Sequence, residues 1–142
     1  MADSVINDSI RKRIERIEAC LKKLEKKRQL TLDEFLADSE SQDVVLYNFQ
    51  IAIDSCLDIG SQIIAERGWR AAETYADIPK ILVENKVIPK EYEKTFVNMA
   101  KFRNVIVHEY LYVDLVKVYY NLLKVEDIKK FLLFIEEFLE KK

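Results

Sequence analysis

The sequence predicts an all-α protein, an antiparallel bundle of four to six helices formed by one domain over residues 1–142. The chain has only two glycines and two prolines, far fewer than the turns of a many-stranded sheet require. Its apolar residues recur every three or four positions, which is the spacing of one helix face. Hydrophobic residues make up 49% of the chain and charged residues 34%, the balance of a soluble amphipathic bundle.

The first half of the chain predicts three helices. Isoleucines and leucines at helical spacing, from Ile6 to Leu24, indicate a helix from about Ser4 to Lys27. Thr31 with Glu34 resembles a capping box that opens a short second helix. Residues 41–66 then divide into an apolar and a polar face, which indicates a helix of roughly seven turns. The polar face carries Asp43, Tyr47, Gln50, Asp54, Asp58 and Ser61.

The second half contains a loop and three or four further helical segments. The stretch "RGWRAAETYAD" (67–77) breaks the periodicity and predicts a loop, and "IPKILVENKVI" (78–88) predicts a short helix and a turn. Pro89 suits the first position of the next helix, where the missing N–H would have no partner in any case. Residues 112–142 supply the last one or two helices.

Several classes of protein are disfavoured by composition. The longest unbroken apolar run, residues 131–135, is too short to span a membrane. The start "MADSVIND" lacks a cationic segment followed by an apolar one, so we expect no secretory signal. Cys20 and Cys56 fall among apolar residues and form no CxxC pair, which indicates reduced, buried thiols. We therefore expect a cytoplasmic protein.

Metal and cofactor chemistry finds few ligands in this chain. Two glycines cannot build a phosphate-binding loop, and one histidine with two scattered cysteines cannot complete a zinc site. Asp54 and Asp58, four residues apart on one helix face, could bind Mg²⁺, although such pairs are more often merely solvated or at an interface. We therefore expect no cofactor and no metal, and retain the two aspartates as possible auxiliary residues.

Charge is divided unevenly along the chain. Residues 11–28 hold nine basic and three acidic side chains, whereas residues 29–66 hold eight acidic and no basic ones. This asymmetry suggests two surfaces with different partners. The basic first helix could follow an RNA backbone. Its interleaved acidic residues, Glu15, Glu18 and Glu25, favour a solvated outer face instead.

The stretch "RNVIVHEY" (103–110) places polar groups on an otherwise apolar helix. A charge at Arg103 costs several kcal/mol in such a setting unless something pairs with it. Asn104 and His108, the only histidine, are four residues apart and share a helix face, and the long Arg103 side chain can reach the same place. The helical neighbours of Arg103 on its own face are Met99, Ala100, Ile106 and Val107.

These three residue types suit cleavage of RNA without a metal. Histidine can act as general base or acid, and arginine offers a fork that matches phosphate oxygens. Asparagine can orient the histidine or donate to the phosphate. One histidine serves only one of the two proton transfers, so the second needs another source. A two-fold dimer with both sites face to face would supply it.

At these residues the chain resembles the HEPN superfamily of helical ribonucleases, whose signature is an arginine, a polar residue, a short spacer and a histidine. It is most similar to the HepT toxins, which carry the form R-x-x-x-x-H-x-Y. Arg103, Asn104, His108 and Tyr110 match that form. The likeness continues through "DEFLAD", "YNFQIAIDSCLDIGSQIIAE" and "NMAKFRNVIVHEYLYVD" in the family's order and spacing, so it covers most of the chain.

The resemblance implies a metal-independent endoribonuclease toxin that forms a homodimer with both motifs lining one cleft. Its substrate would be RNA. Its partner would be a minimal nucleotidyltransferase antitoxin that transfers AMP to the motif tyrosine, here Tyr110. Because Tyr110 would point some 200° away from His108 on an ideal helix, we expect the helix to end or loosen near Glu109, or the opposing subunit to complete the site.

Two other interpretations remain open on the sequence. The chain could be a non-catalytic helical partner or substrate-binding domain for a nucleotidyltransferase, or a structural dimer without chemistry. The structural dimer leaves the polar turn at residues 103–108 unexplained.

Overall fold

Seven α-helices form the part of the chain that the computed structural model describes, residues 2–141, with side chains described from residue 8. The all-α class is confirmed, but the helix count exceeds the expected four to six. Three helices have only five, eight and eight residues, too few to be counted separately from their periodicity. The helices are α1 (Ala2–Lys27), α2 (Leu32–Leu36), α3 (Ser39–Arg67), α4 (Asp77–Glu84), α5 (Glu93–His108), α6 (Leu115–Leu122) and α7 (Glu126–Glu140).

The boundaries of α2 and α3 follow local capping chemistry. The Thr31 hydroxyl accepts from the Glu34 N–H at 3.2 Å, and the Thr31 N–H donates to the Glu34 carboxylate at 2.8 Å, so the predicted capping box is confirmed. Asp38 caps α3 by accepting from the Ser41 N–H at 3.2 Å. The predicted first helix is also confirmed, although Ile6 of its apolar stripe lies outside the described side chains.

Pro89 does not open α5 as expected. It is extended (φ −74°, ψ 156°) and precedes a 3-10 turn at Lys90–Tyr92, so α5 begins only at Glu93. The turn places Tyr92 in the core, where its hydroxyl donates to the backbone oxygen of Asp127 just inside α7. This contact with a distant helix favours the extra turn. The residues around Pro89 alone do not predict that turn.

The central helix of the bundle is α3. It packs along α1 and also contacts α2, α4, α5, α6 and α7. Gly60 allows the close approach of α4, because a Cβ there would lie 2.7 Å from Ile78 Cγ2. Cys20 and Cys56 are buried free thiols as predicted, and burial raises the pKa of both. None of the helices described is long and apolar enough to cross a bilayer.

Two ion pairs join neighbouring helices to the polar face of α3. Arg13 of α1 lies 3.2 Å from Asp58, and both side chains are well exposed (38% and 40%). Arg103 of α5 lies 2.5 Å from Asp54, where the exposed fractions fall to 18% and 25%. The second pair is therefore the more desolvated, and its loss leaves a more costly unpaired charge.

This difference predicts unequal effects of two matched substitutions. Asp54→Asn should lower the free energy of unfolding by about 1–3 kcal/mol, because it leaves the Arg103 guanidinium partly buried without its counter-ion. Asp58→Asn should cost less than about 1 kcal/mol, since the Arg13 pair is screened by water. Urea unfolding followed by circular dichroism measures both. Equal losses would show that Asp54 is not what compensates Arg103.

Candidate active site

The last two turns of α5 place Arg103 at the edge of the core. Met99, Ala100 and Ile106 are buried as predicted, whereas Val107 is 36% exposed. The predicted apolar surroundings of Arg103 are thus confirmed on three of four positions.

Three groups hold the guanidinium of Arg103. Its Nε donates to Asp54 Oδ1, and its Nη1 donates to Asn104 Oδ1 at 3.1 Å. The guanidinium carbon also lies 5.2 Å from the centre of the Tyr75 ring, a cation–π distance. Among residues 8–141, no acceptor takes the hydrogens of Nη2. The fork is therefore oriented on one side and free to bind an anion on the other.

His108 is the last residue of α5 and is exposed. Glu109 leaves helical geometry (φ −126°, ψ 31°), and the chain passes into a 3-10 turn at Tyr110–Tyr112. The expected end of the helix near Glu109 is confirmed. Tyr110 consequently departs from the helical path, so the separation of roughly 200° from His108 no longer applies.

Tyr110 is half exposed (50%), and its hydroxyl donates to Asp43 Oδ1 at 3.2 Å. Partial loss of water, followed by the negative charge of Asp43 and this hydrogen bond, raises the pKa of the phenol. The group therefore remains a neutral phenol around pH 7. Asp43 belongs to the polar face of α3, as does Asp54, so one helix face contacts both Tyr110 and Arg103.

The two aspartates that the sequence suggested as auxiliary residues form ion pairs with different arginines. Asp54 pairs with Arg103, and Asp58 pairs with Arg13 and lies on the α1 side. Within residues 8–141, no group of three or more histidine, cysteine, aspartate or glutamate side chains is arranged to hold a metal ion. Asp54 thus belongs to the site as a partner of Arg103, whereas Asp58 does not contact it.

Sequence reasoning did not assign Asp43 or Tyr75 to the site. Asp43 carried a usable signal, because it shares the polar face of α3 with Asp54 at helical spacing. Tyr75 carried none, since it lies in the loop between α3 and α4 and reaches Arg103 only through the path of that loop.

An exposed apolar patch adjoins the site. It consists of three side chains around the end of α5, and it lies next to Arg103, His108 and Tyr110 in the chain. Exposed apolar clusters of this kind typically mark a protein contact surface. The patch comprises Val105 (37% exposed), Leu111 (83%) and Tyr112 (86%), of which Val105 and Tyr112 line one surface groove.

Comparison with known proteins identifies relatives of the whole fold. A solved structure of the tri-AMPylated Shewanella oneidensis HEPN toxin in complex with MNT antitoxin superimposes with a TM-score of 0.82 at 25% identity, covering 90% of this chain and 96% of that one. In sequence, the chain is 28% identical over 107 residues to the mRNA nuclease HepT of Shewanella oneidensis, covering 74% of this chain and 78% of the relative.

A putative RNase of Archaeoglobus fulgidus is 32% identical over 101 residues, which cover 68% of this chain and 74% of the relative. The family model described as ribonuclease HepT-like matches residues 10–138. That match includes every residue of the site, from Asp43 on α3 to Tyr110 beyond α5. The chain belongs to the HepT-like ribonuclease family.

Proposed function

We propose that the protein is an endoribonuclease toxin that cuts RNA without a metal ion and is silenced when a minimal nucleotidyltransferase antitoxin transfers AMP to Tyr110. Membership of a ribonuclease family and the likeness to an AMPylated toxin bound to its antitoxin support this proposal. The observation that carries it is the oriented guanidinium of Arg103 on the same helix end as the exposed His108.

The geometry suits transesterification by the RNA's own 2′-hydroxyl. His108 takes the 2′-hydroxyl proton, the 2′-oxygen bonds to phosphorus, and the 5′-oxygen leaves with a proton from a second acid. The free side of the Arg103 fork stabilises the negative phosphorane. Asn104 positions that fork through its Oδ1, which leaves its amide N–H groups for the phosphate. Each chain brings one imidazole, so the second acid comes from a second copy.

Removing either charged member of the motif should abolish cleavage. His108→Ala and Arg103→Ala should each lower the rate by about 10²–10⁴-fold with RNA in excess EDTA, because each removes a proton transfer or the anion-binding fork. Wild-type protein should leave a cyclic phosphate or its hydrolysed form at the new 3′ end. Mass spectrometry of a synthetic RNA measures both.

The control for lost folding is the double variant Arg103→Ala/Asp54→Ala, which removes both charges of the pair and should regain stability without regaining cleavage. Wild-type rates in purified His108→Ala would instead favour the non-catalytic partner domain. Dependence of wild-type cleavage on added Mg²⁺ would contradict the metal-free mechanism.

We infer that the apolar patch joins two copies of the chain around a two-fold axis. A two-fold contact buries the same patch on both subunits. The patch adjoins residues 103–108, the proposed catalytic turn. The same contact therefore brings the two copies of Arg103 and His108 close to one cleft. This arrangement supplies the second acid and covers apolar area that is costly to leave in water.

A charge in the patch should therefore separate the subunits and stop cleavage together. Leu111→Asp should give a monomer at micromolar concentration and reduce RNA cleavage about 10²-fold or more, because the second acid is lost. Leu133→Asp is the matched control, since this leucine is also exposed (58%) but lies on α7. Light scattering measures the mass. A wild-type monomer that cleaves RNA would contradict the dimer.

The exposure and position of Tyr110 support its role as the point of control. Its phenol is half exposed and lies two residues after His108, outside the helix. A transferred AMP would add negative charge and bulk next to Asp43, about 16 Å along α3 from Asp54, and would obstruct the RNA path that leads along this helix to Arg103. The neutral phenol does not itself occupy the anion position, so the unmodified protein stays active.

Tyr110→Phe should escape this control. Coexpression with the cognate nucleotidyltransferase antitoxin should add AMP to the wild-type peptide containing Tyr110 and suppress toxicity, whereas the phenylalanine variant has no acceptor oxygen and should remain toxic. Mass spectrometry and growth curves measure the two effects. Suppressed toxicity with no added AMP mass would show that the antitoxin inhibits by binding alone.

A further inference from the structure

An exposed arginine and an exposed tyrosine meet between α1 and α3. Arg16 Nη2 lies 3.5 Å from the Tyr47 hydroxyl oxygen, and Tyr47 is 54% exposed. Tyr47 belongs to the polar face of α3 and not to its buried face. Its ring therefore contributes little to the core, and its position is free to serve another purpose.

Helical spacing places Tyr47 along the candidate active site. It lies four residues after Asp43, the acceptor of Tyr110, and seven before Asp54, the partner of Arg103. These separations correspond to about 6 and 10 Å along the helix axis. Tyr47 thus lies on α3 between Asp43 and Asp54, the two residues that the motif contacts. In the motif itself, His108 lies between Arg103 and Tyr110 in sequence.

Arg13, three residues before Arg16 on α1, is paired with Asp58. Among the side chains of residues 8–141, no carboxylate lies within salt-bridge distance of Arg16. Its guanidinium contacts the Tyr47 hydroxyl instead. An unneutralised guanidinium beside an exposed aromatic ring is the combination that binds single-stranded nucleic acid, since one contacts phosphate and the other stacks on a base.

We propose that Tyr47 and Arg16 form a binding subsite for a nucleotide next to the cleaved bond. The Tyr47 ring stacks on the base, and the Arg16 guanidinium binds the adjoining phosphate. The proposal rests on the proposed ribonuclease function, because the subsite extends the same RNA path from Arg103 toward α1. It also gives the basic surface of α1 a role in RNA binding, although the interleaved glutamates of that helix favoured a merely solvated face.

The subsite should contribute to binding and not to the chemical step. Stacking on an exposed aromatic ring typically contributes about 5- to 100-fold in affinity. A single phosphate contact with single-stranded RNA should add about 0.7 to the slope of log affinity against log salt concentration. Loss of either side chain should therefore raise KM and leave kcat nearly unchanged, because neither contacts the reacting atoms.

The test uses a fluorescein-labelled single-stranded RNA of ten nucleotides and full-length protein carrying His108→Ala, which prevents cleavage. In that background Tyr47→Ala should weaken binding by about 5- to 100-fold, whereas Tyr47→Phe should retain most of it because the ring remains. Arg16→Gln should weaken binding and reduce the salt slope by about 0.7. Fluorescence anisotropy across a salt series measures all three.

Matched controls are of the same residue types and are exposed elsewhere on the bundle. Tyr120→Ala removes a tyrosine of similar exposure (52%) on α6, and Arg11→Gln removes another exposed arginine of α1. Both should leave RNA affinity within about twofold. Tyr47→Leu, which keeps apolar bulk without an aromatic face, replaces Tyr47→Ala if the latter unfolds, as judged by circular dichroism.

Two failures are distinguishable. If wild-type protein cleaves the RNA but the Tyr47 and Arg16 variants bind it like the controls, the subsite is wrong and the proposed function stands. If wild-type protein does not cleave RNA at all, the proposed function fails first. A loss caused equally by Tyr47→Phe and Tyr47→Ala would also overturn the stacking role.

Discussion

The ion pair between Arg103 and Asp54 is the contact on which the arrangement of the site depends. It joins two residues that are 49 positions apart in the chain and lie on different helices. At this edge of the core, each of the two side chains is exposed to solvent by a quarter or less. A lone guanidinium at that depth would be costly. By accepting from Nε, Asp54 compensates the charge and fixes the plane of the fork.

The long helix α3 gives this pair its setting. Its buried face holds the bundle together, while its polar face presents Asp43, Tyr47 and Asp54 in succession toward the outside. Because helical spacing is regular, three contacts made by different parts of the chain become collinear: Tyr110 on Asp43, Arg16 on Tyr47 and Arg103 on Asp54. The same rigid element thus aligns the proposed modification site, the proposed nucleotide subsite and the arginine proposed to bind phosphate.

The end of α5 is the second constraint. If the helix continued past His108, Tyr110 would face the opposite side of the cylinder. The break at Glu109 instead sends the chain into a 3-10 turn, which brings the phenol to Asp43 and leaves Leu111 and Tyr112 exposed. One local change of backbone therefore places the proposed control residue and the proposed dimer patch beside the catalytic turn. The proposed sites of catalysis, silencing and assembly consequently share a small part of the surface.

Much of this protein was determined locally by its sequence. The helical periodicity, the capping box at Thr31, the polar face of α3 and the contact of Arg103 with Asn104 all follow from spacing within one helix turn or one helix. The family motif could be read for the same reason. Tertiary structure alone decided the extra turn after Pro89, the reach of Tyr75 to Arg103, and which of Asp54 and Asp58 joins the site. These outcomes depend on how helices lie against one another, and residues that share a helix face look equivalent until a neighbouring helix supplies a different partner to each.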